Sequence, residues 1–67
     1  MINYGQNLKN HRELNQLTQS ELSRQTGISQ ANINRWESGA NLPNIDFCVK
    51  LADFYGISLD ELVGRKI

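Results

Sequence analysis

The chain has 67 residues, with seven basic and seven acidic side chains for a formal net charge of zero, and one cysteine. That length allows one small domain whose core is built economically from short, closely packed helices. The composition argues against a polybasic coat for nucleic acid or membrane, a disulfide framework or cysteine-built metal site, and a bilayer-spanning stretch. The N-terminus lacks the basic-then-apolar order of a secretory signal. A soluble, cytoplasmic protein in a reducing compartment is therefore expected, with Cys48 as a small core residue rather than a reactive thiol. Charge is unevenly spread: residues 1–35 carry Lys9, Arg12, Arg24 and Arg35 against Glu13 and Glu21, whereas most acids fall later.

A first helix is expected over about residues 3 to 14, where Tyr4, Leu8, His11 and Asn15 share a face and Ile2 and Leu14 lie nearby. His11 reads as a packing residue there rather than a pH switch or ligand. The next start has three local signals in Leu17-Thr18-Gln19-Ser20-Glu21-Leu22. Thr18 caps, Glu21 returns a bond to the cap backbone, and Leu17 packs on Leu22. This helix lasts about two turns, because glycine in Thr26-Gly27 permits a chain reversal. Ser29 then caps a third helix, with Ile28 and Ile33 as its hydrophobic staple. Two short helices with a tight glycine joint make a helix-turn-helix pattern over about residues 18–38.

Gly39 ends the third helix, and Pro43 follows a short loop. Asn44 caps a fourth helix whose apolar stripe is Phe47, Cys48, Leu51, Ala52 and Tyr55. The last helix opens at Ile57-Ser58-Leu59-Asp60-Glu61-Leu62, with Ser58 and Glu61 as a capping box and Ile57 and Leu62 as the staple. Gly64-Arg65-Lys66-Ile67 is expected to fray. Gly-Ile-Ser occurs twice, at residues 27–29 and 56–58. It is a helix-starting device rather than a duplicated site, because amides and an arginine follow the first copy and leucine and two acids the second.

Taking Ile33 as the inward reference and about 100 degrees per residue, Trp36 and Glu37 stay near the core side of the third helix. Ala31, Asn34, Arg35 and Ser38 fall opposite, and Gln30 sits in the first turn. Glutamine and asparagine pair bidentately with adenine, arginine grips guanine or phosphate, and small Ala31 allows close approach to a base edge or a thymine methyl. Helix propensity alone is the competing explanation for Ala31. Asn32 and Asn34 are poor helix formers, so external contacts would compensate. Gln19, at the start of the preceding helix, is a candidate for base or phosphate contact, with simple solvation as its alternative. Lys9, Arg24 and Asn41 are candidates for backbone contacts. Trp36 is a packing anchor rather than a stacking platform, and Phe47, Phe54 and Tyr55 are expected to support the core. A pair between Arg12 and Glu37 would brace the first helix against the third. No close Ser/His/Asp set, paired-carboxylate spacing or metal-ligand cluster emerges, so an enzyme is not expected.

The ordered set Arg12, Leu17-Thr18-Gln19, Glu21-Leu22, Gly27-Ile28-Ser29, Ile33, Trp36-Glu37, Gly39, Pro43, Leu51-Ala52 and Gly56-Ile57-Ser58-Leu59-Asp60-Glu61-Leu62 resembles the Cro/C1-type, or XRE-type, helix-turn-helix family. The likeness spans nearly all of residues 2–63. It implies an all-α, compact, five-helix lambda-repressor-like DNA-binding domain occupying residues 1–67, in a bacterial or phage transcriptional regulator, most often a repressor. It further implies a homodimer, formed or strengthened on double-stranded DNA at an inverted repeat, with its interface sought after Pro43. Neither cofactor, nor small-molecule ligand, nor membrane partner is expected. By the same resemblance Gln19 takes the second-helix contact position and Gln30 the leading recognition position. Ala31, Asn32, Asn34 and Arg35 surround it, Ser38 meets the DNA backbone, and Arg12 pairs with Glu37. The competing reading is a protein-interaction or antitoxin-like module on the same fold, with possible DNA autoregulation.

Overall fold

Five helices follow one another along the chain, and each is opened by a side chain that accepts a backbone N–H of its own first turn. In the computed structural model, which describes residues 2–65, these are α1 (Tyr4–Leu14), α2 (Gln19–Thr26), α3 (Gln30–Ser38), α4 (Ile45–Tyr55) and α5 (Leu59–Val63). Of the stretch expected to fray, Lys66 and Ile67 lie outside the described residues. The all-α, five-helix expectation holds, and the described residues contain no strand.

The caps are Asn3, Thr18, Ser29, Asn44 and Ser58. Each satisfies one N–H that the helix leaves without an internal partner. At Thr18 the box closes both ways: Glu21 N–H donates to Thr18 Oγ1 and Thr18 N–H to Glu21 Oε1, both at 3.0 Å. The box expected at Ser58 is only half made. Glu61 N–H donates to Ser58 Oγ at 3.1 Å, but the Glu61 carboxylate turns to the Ser58 hydroxyl at 3.4 Å instead of the cap backbone.

Every helix contributes to one core of Leu8, Leu22, Ile28, Ile33, Trp36, Leu51, Ala52 and Leu62, with Leu17, Phe47, Cys48, Tyr55 and Ile57 packed against it. Trp36 meets Phe47 of α4 with ring centroids 5.1 Å apart, while α3 itself packs chiefly against α1 and α2. Two apolar residues expected near the core are not in it. Leu14 is 76% exposed, because the face α1 turns inward is the one carrying Leu8, and Leu14 lies well round the helix from it. Phe54 is 38% exposed, outside the buried cluster, and meets Tyr55 edge-to-face with ring centroids 5.2 Å apart.

Helix α1 holds the bundle together by polar contacts as well. Asn7 Nδ2 donates to the Val63 carbonyl at 2.8 Å, and His11 Nε2 donates to the Glu61 carbonyl at 2.7 Å. Both tie α1 to α5 and satisfy carbonyls near the end of that short helix. Toward α3 the approach is so close that Gly5 is buried. A Cβ at Gly5 would stand 2.6 Å from the Trp36 carbonyl oxygen and 2.8 Å from that of Glu37. Nothing in the neighbouring residues of Gly5 announces this approach. Between α1 and α2 the chain turns through Gln16 at φ 58, a left-handed conformation that a side chain disfavours.

Candidate nucleic-acid interface

The joint between α2 and α3 is closed by side chains as well as by glycine. Gly27 takes φ 78, a conformation open to glycine at little cost. Thr26 Oγ1 donates to the Leu22 carbonyl at 2.7 Å and accepts Ile28 N–H at 3.2 Å, while Ser23 Oγ donates to the Ile28 carbonyl. Thr26 and Ile28 are both buried, so the turn leaves the polar atoms of these residues paired before any ligand arrives. Lys50 of α4 brings its ammonium to 3.9 Å from where a Gly27 Cβ would stand, beside the negative end of the α2 dipole. Serine at 23 and threonine at 26, just before the glycine, were the overlooked signal for this closure.

From Ser29 onward α3 divides sharply by side. Ile33 and Trp36 are buried, while Gln30, Ala31, Asn34, Arg35 and Ser38 are exposed. Asn32 is half-buried on the flank. Ser38 Oγ donates to the Arg35 carbonyl at 3.0 Å, so its proton is spent inside α3 and a phosphate would have to draw it away. Lys9 on α1, Arg24 in the last turn of α2 and Asn41 in the loop after α3 are all exposed. Among the described residues Lys9, Arg24 and Arg35 have no acidic partner within ion-pair distance.

Arg12 and Glu37 meet behind this surface. Arg12 Nε donates to Glu37 Oε2 at 2.8 Å and Nη2 to Oε1 at 2.9 Å, a two-pronged pair with side chains 11% and 6% exposed. The remaining Arg12 arm, Nη1, donates to the Leu17 carbonyl at 2.7 Å. The hydrogen bond to Glu37 holds the Arg12 guanidinium above its ordinary pKa, with desolvation opposing it. Such a pair gains specificity of geometry more than net stability, because burying both ions costs much of the attraction. It fixes the angle between α1 and α3 and links both to the start of α2.

Gln19 is not the free helix-end amide that its sequence position suggested. It is half-buried, and its Nε2 donates to Glu37 Oε1 at 3.1 Å. Its Oε1 in turn accepts from Asn34 Nδ2 at 3.4 Å. Lys9, Arg12, Gln19, Asn34, Glu37 and Ser38 line an open notch of about 220 Å³ where α1, α2 and α3 converge. That notch groups four candidates from three helices, Lys9, Gln19, Asn34 and Ser38, whereas Gln30, Ala31, Asn32, Arg35, Arg24 and Asn41 stand outside it. No cluster of His, Cys, Asp or Glu among the described residues could hold a metal ion. None of the described helices is long and apolar enough to cross a membrane.

Two short helices joined through a left-handed glycine, the second buried along one side and lined with amides and a guanidinium along the other, define a helix-turn-helix protein. A family model described as Helix-turn-helix matches residues 8–62, and the chain belongs to that family, in its Cro/C1-type branch. The chain is 41% identical over 58 residues to the cryptic phage CTXphi transcriptional repressor RstR of Vibrio cholerae serotype O1, a match covering 87% of this chain and 52% of the relative. It is 31% identical over 63 residues to the HTH-type transcriptional activator BcrR of Enterococcus faecalis, covering 94% of this chain and 31% of the relative. An uncharacterized HTH-type transcriptional regulator of Methanocaldococcus jannaschii is 33% identical over 55 residues, covering 82% of this chain and 83% of the relative. The chain thus spans about half the length of the repressor and under a third of the activator. All three relatives are named as regulators and none as an enzyme. No solved structure matches the chain.

Proposed function

We propose that the chain binds double-stranded DNA sequence-specifically as part of a transcriptional regulator, without catalysis. The observation that carries this reading is the division of α3, with Ile33 and Trp36 buried and Gln30, Ala31, Asn34, Arg35 and Ser38 exposed. A helix seated on one side and polar on the other fits the major groove, where amides and guanidinium groups distinguish base pairs. Gln30, Ala31, Asn34 and Arg35 read base edges, and Gln19 and Asn32 touch base or phosphate. Lys9, Arg24, Ser38 and Asn41 hold the backbone and set the register. Arg12 and Glu37 brace the surface without touching DNA.

Two copies would bind an inverted repeat with half-sites about 34 Å apart, one turn of the duplex. Ile45 and Val49, one turn apart on α4 and both exposed, support an association surface after Pro43 that leaves α3 free. Repression is favoured over activation because the repressor shares the higher identity with the chain. The same exposed apolar pair supports a second reading, a protein-interaction or antitoxin-like module in which the α3 surface is dispensable.

Selection from random duplex DNA with the purified chain separates the two. An enriched sequence is expected, and Arg35→Ala is expected to lose roughly five- to a hundredfold in affinity for it while relaxing preference at one base pair. Lys9→Ala is expected to weaken all sequences alike and flatten the salt dependence by about one unit of slope. No enrichment at low salt, with or without a fused dimerising segment, would sink the DNA reading.

A further inference from the structure

The outward amides of α2 and α3 are not independent, and their coupling runs back to a carboxylate. Glu37, paired to Arg12, offers oxygens only. Oε1 already takes Arg12 Nη2 and also takes Gln19 Nε2 at 3.1 Å. Gln19 must therefore turn its nitrogen toward Glu37 and its oxygen toward α3, because the flipped amide would set one acceptor against another. That oxygen faces Asn34, whose Nδ2 donates to it at 3.4 Å. With one N–H committed, Asn34 keeps one N–H and Oδ1 for a base. A donor beside an acceptor matches adenine N7 and N6, whereas an Asn34 of opposite polarity would present two N–H groups, which match guanine N7 and O6.

We propose that Glu37 is a positioning residue for base recognition, fixing through Gln19 the polarity of the Asn34 amide and so selecting adenine over guanine at the base that Asn34 meets. This rests on reading α3 as the DNA-reading helix. Glu37 contributes direction rather than contact: its carboxylate lies behind the surface, and the base sees only the amide it has oriented. The Arg12 pair matters to specificity in the same way, because it holds the carboxylate where Gln19 can reach it.

The test compares base preferences rather than affinities alone. Asn34→Ala first identifies its base pair as the position where preference disappears. Gln19→Met then keeps a long side chain and leaves the Arg12–Glu37 pair in place, but cannot pass polarity to Asn34. It is expected to lower the adenine-to-guanine ratio at that one position by roughly three- to tenfold, over and above the affinity lost with the contact of Gln19 itself. Glu37→Gln, which lets Gln19 flip, is expected to lower the same ratio. In the free chain, the Asn34 side-chain amide resonances are expected to shift in Gln19→Met. A uniform loss of affinity with that ratio unchanged overturns the proposal, as does an Asn34→Ala that alters preference nowhere. If the unmodified chain binds no DNA, the DNA reading itself has failed. The amide spectra then decide the coupling, and Asn34 resonances unmoved by Gln19→Met overturn it.

Discussion

Replacing Gly5 by alanine sets helix propensity against packing, and the geometry decides between them. Alanine is favoured over glycine by about 1 kcal/mol inside a helix, and by less at Gly5, which is the second residue of α1. Against that gain, the new Cβ would meet backbone on three counts: the Trp36 oxygen at 2.6 Å, the Glu37 oxygen at 2.8 Å and the Glu37 carbonyl carbon at 3.2 Å. Backbone atoms inside a packed helix cannot swing aside as a lysine tip would, so α1 must withdraw from α3 by several tenths of an ångström. Overpacking of this kind costs about 1–3 kcal/mol. The same withdrawal strains the Arg12–Glu37 hydrogen bonds at 2.8 and 2.9 Å, and weakening a buried pair from one side is costly. We expect Gly5→Ala to destabilise the chain by about 2 kcal/mol, a fall in Tm of roughly 8–16 °C for a domain of this size. Thermal and urea unfolding followed by circular dichroism and by the buried Trp36 would measure it, with Asn10→Ala on the exposed side of α1 as the propensity control. A Gly5→Ala chain as stable as the unmodified one, or more so, would refute the argument that α1 and α3 make backbone contact there.

Three further outcomes follow from local chemistry. Gln16→Gly relieves the positive φ of the α1–α2 turn, about 1–2 kcal/mol for a non-glycine residue, offset in part by glycine's chain entropy; a net gain of about 0.5–1 kcal/mol in urea unfolding is expected, and a loss would show that Gln16 makes a compensating contact. Glu21 is held below its ordinary value of 4.5 by hydrogen bonds from the Thr18 backbone and hydroxyl. Its contribution is therefore present above pH 4.5 and lost as pH falls through the lower folded value, so Glu21→Gln should flatten the acid limb of a stability-against-pH curve. Tyr55 is pushed from 10.0 up to about 12, chiefly by burial and then by the nearby Glu37 carboxylate, with Arg12 opposing. Below pH 10 the phenol is neutral both folded and unfolded, and stability falls as pH rises from 10 to about 12, where the unfolded chain ionises first, so Tyr55→Phe should leave stability near pH 7 unchanged and flatten the alkaline limb; an unaltered alkaline slope would count against the buried phenol.

What could be read from the residues in order was the chemistry that acts within four positions. Thr18, Ser29, Asn44 and Ser58 announce their helices because a cap and its N–H partner are neighbours in sequence. The inward and outward sides of α3 follow equally from the 3.6-residue period, with Ile33 and Trp36 opposite Ala31, Asn34 and Arg35. Gly5 was invisible for the converse reason: its requirement is set by the Trp36 and Glu37 carbonyls, which only folding brings near. A glycine in the first turn of a helix, where no reversal is needed, was the available clue. The same distance effect hid the hydrogen bond of Gln19 to Glu37, and with it the half-burial of an amide that its helix-end position suggested would be free. Leu14 and Phe54 misled because apolar character was read without asking which arc of each helix the neighbours occupy.

The turn between α2 and α3 has a consequence for how such a surface can change over time. Thr26 and Ser23 satisfy its buried polar atoms from within the scaffold, and the seating of α3 falls to Ile33 and Trp36. Gln30, Ala31 and Arg35 are thereby released from any duty to the fold. With α3 reading DNA as proposed, a lineage could rewrite those letters one at a time, acquiring a new target without passing through an unfolded ancestor, while Asn34 would change more readily in company with Gln19.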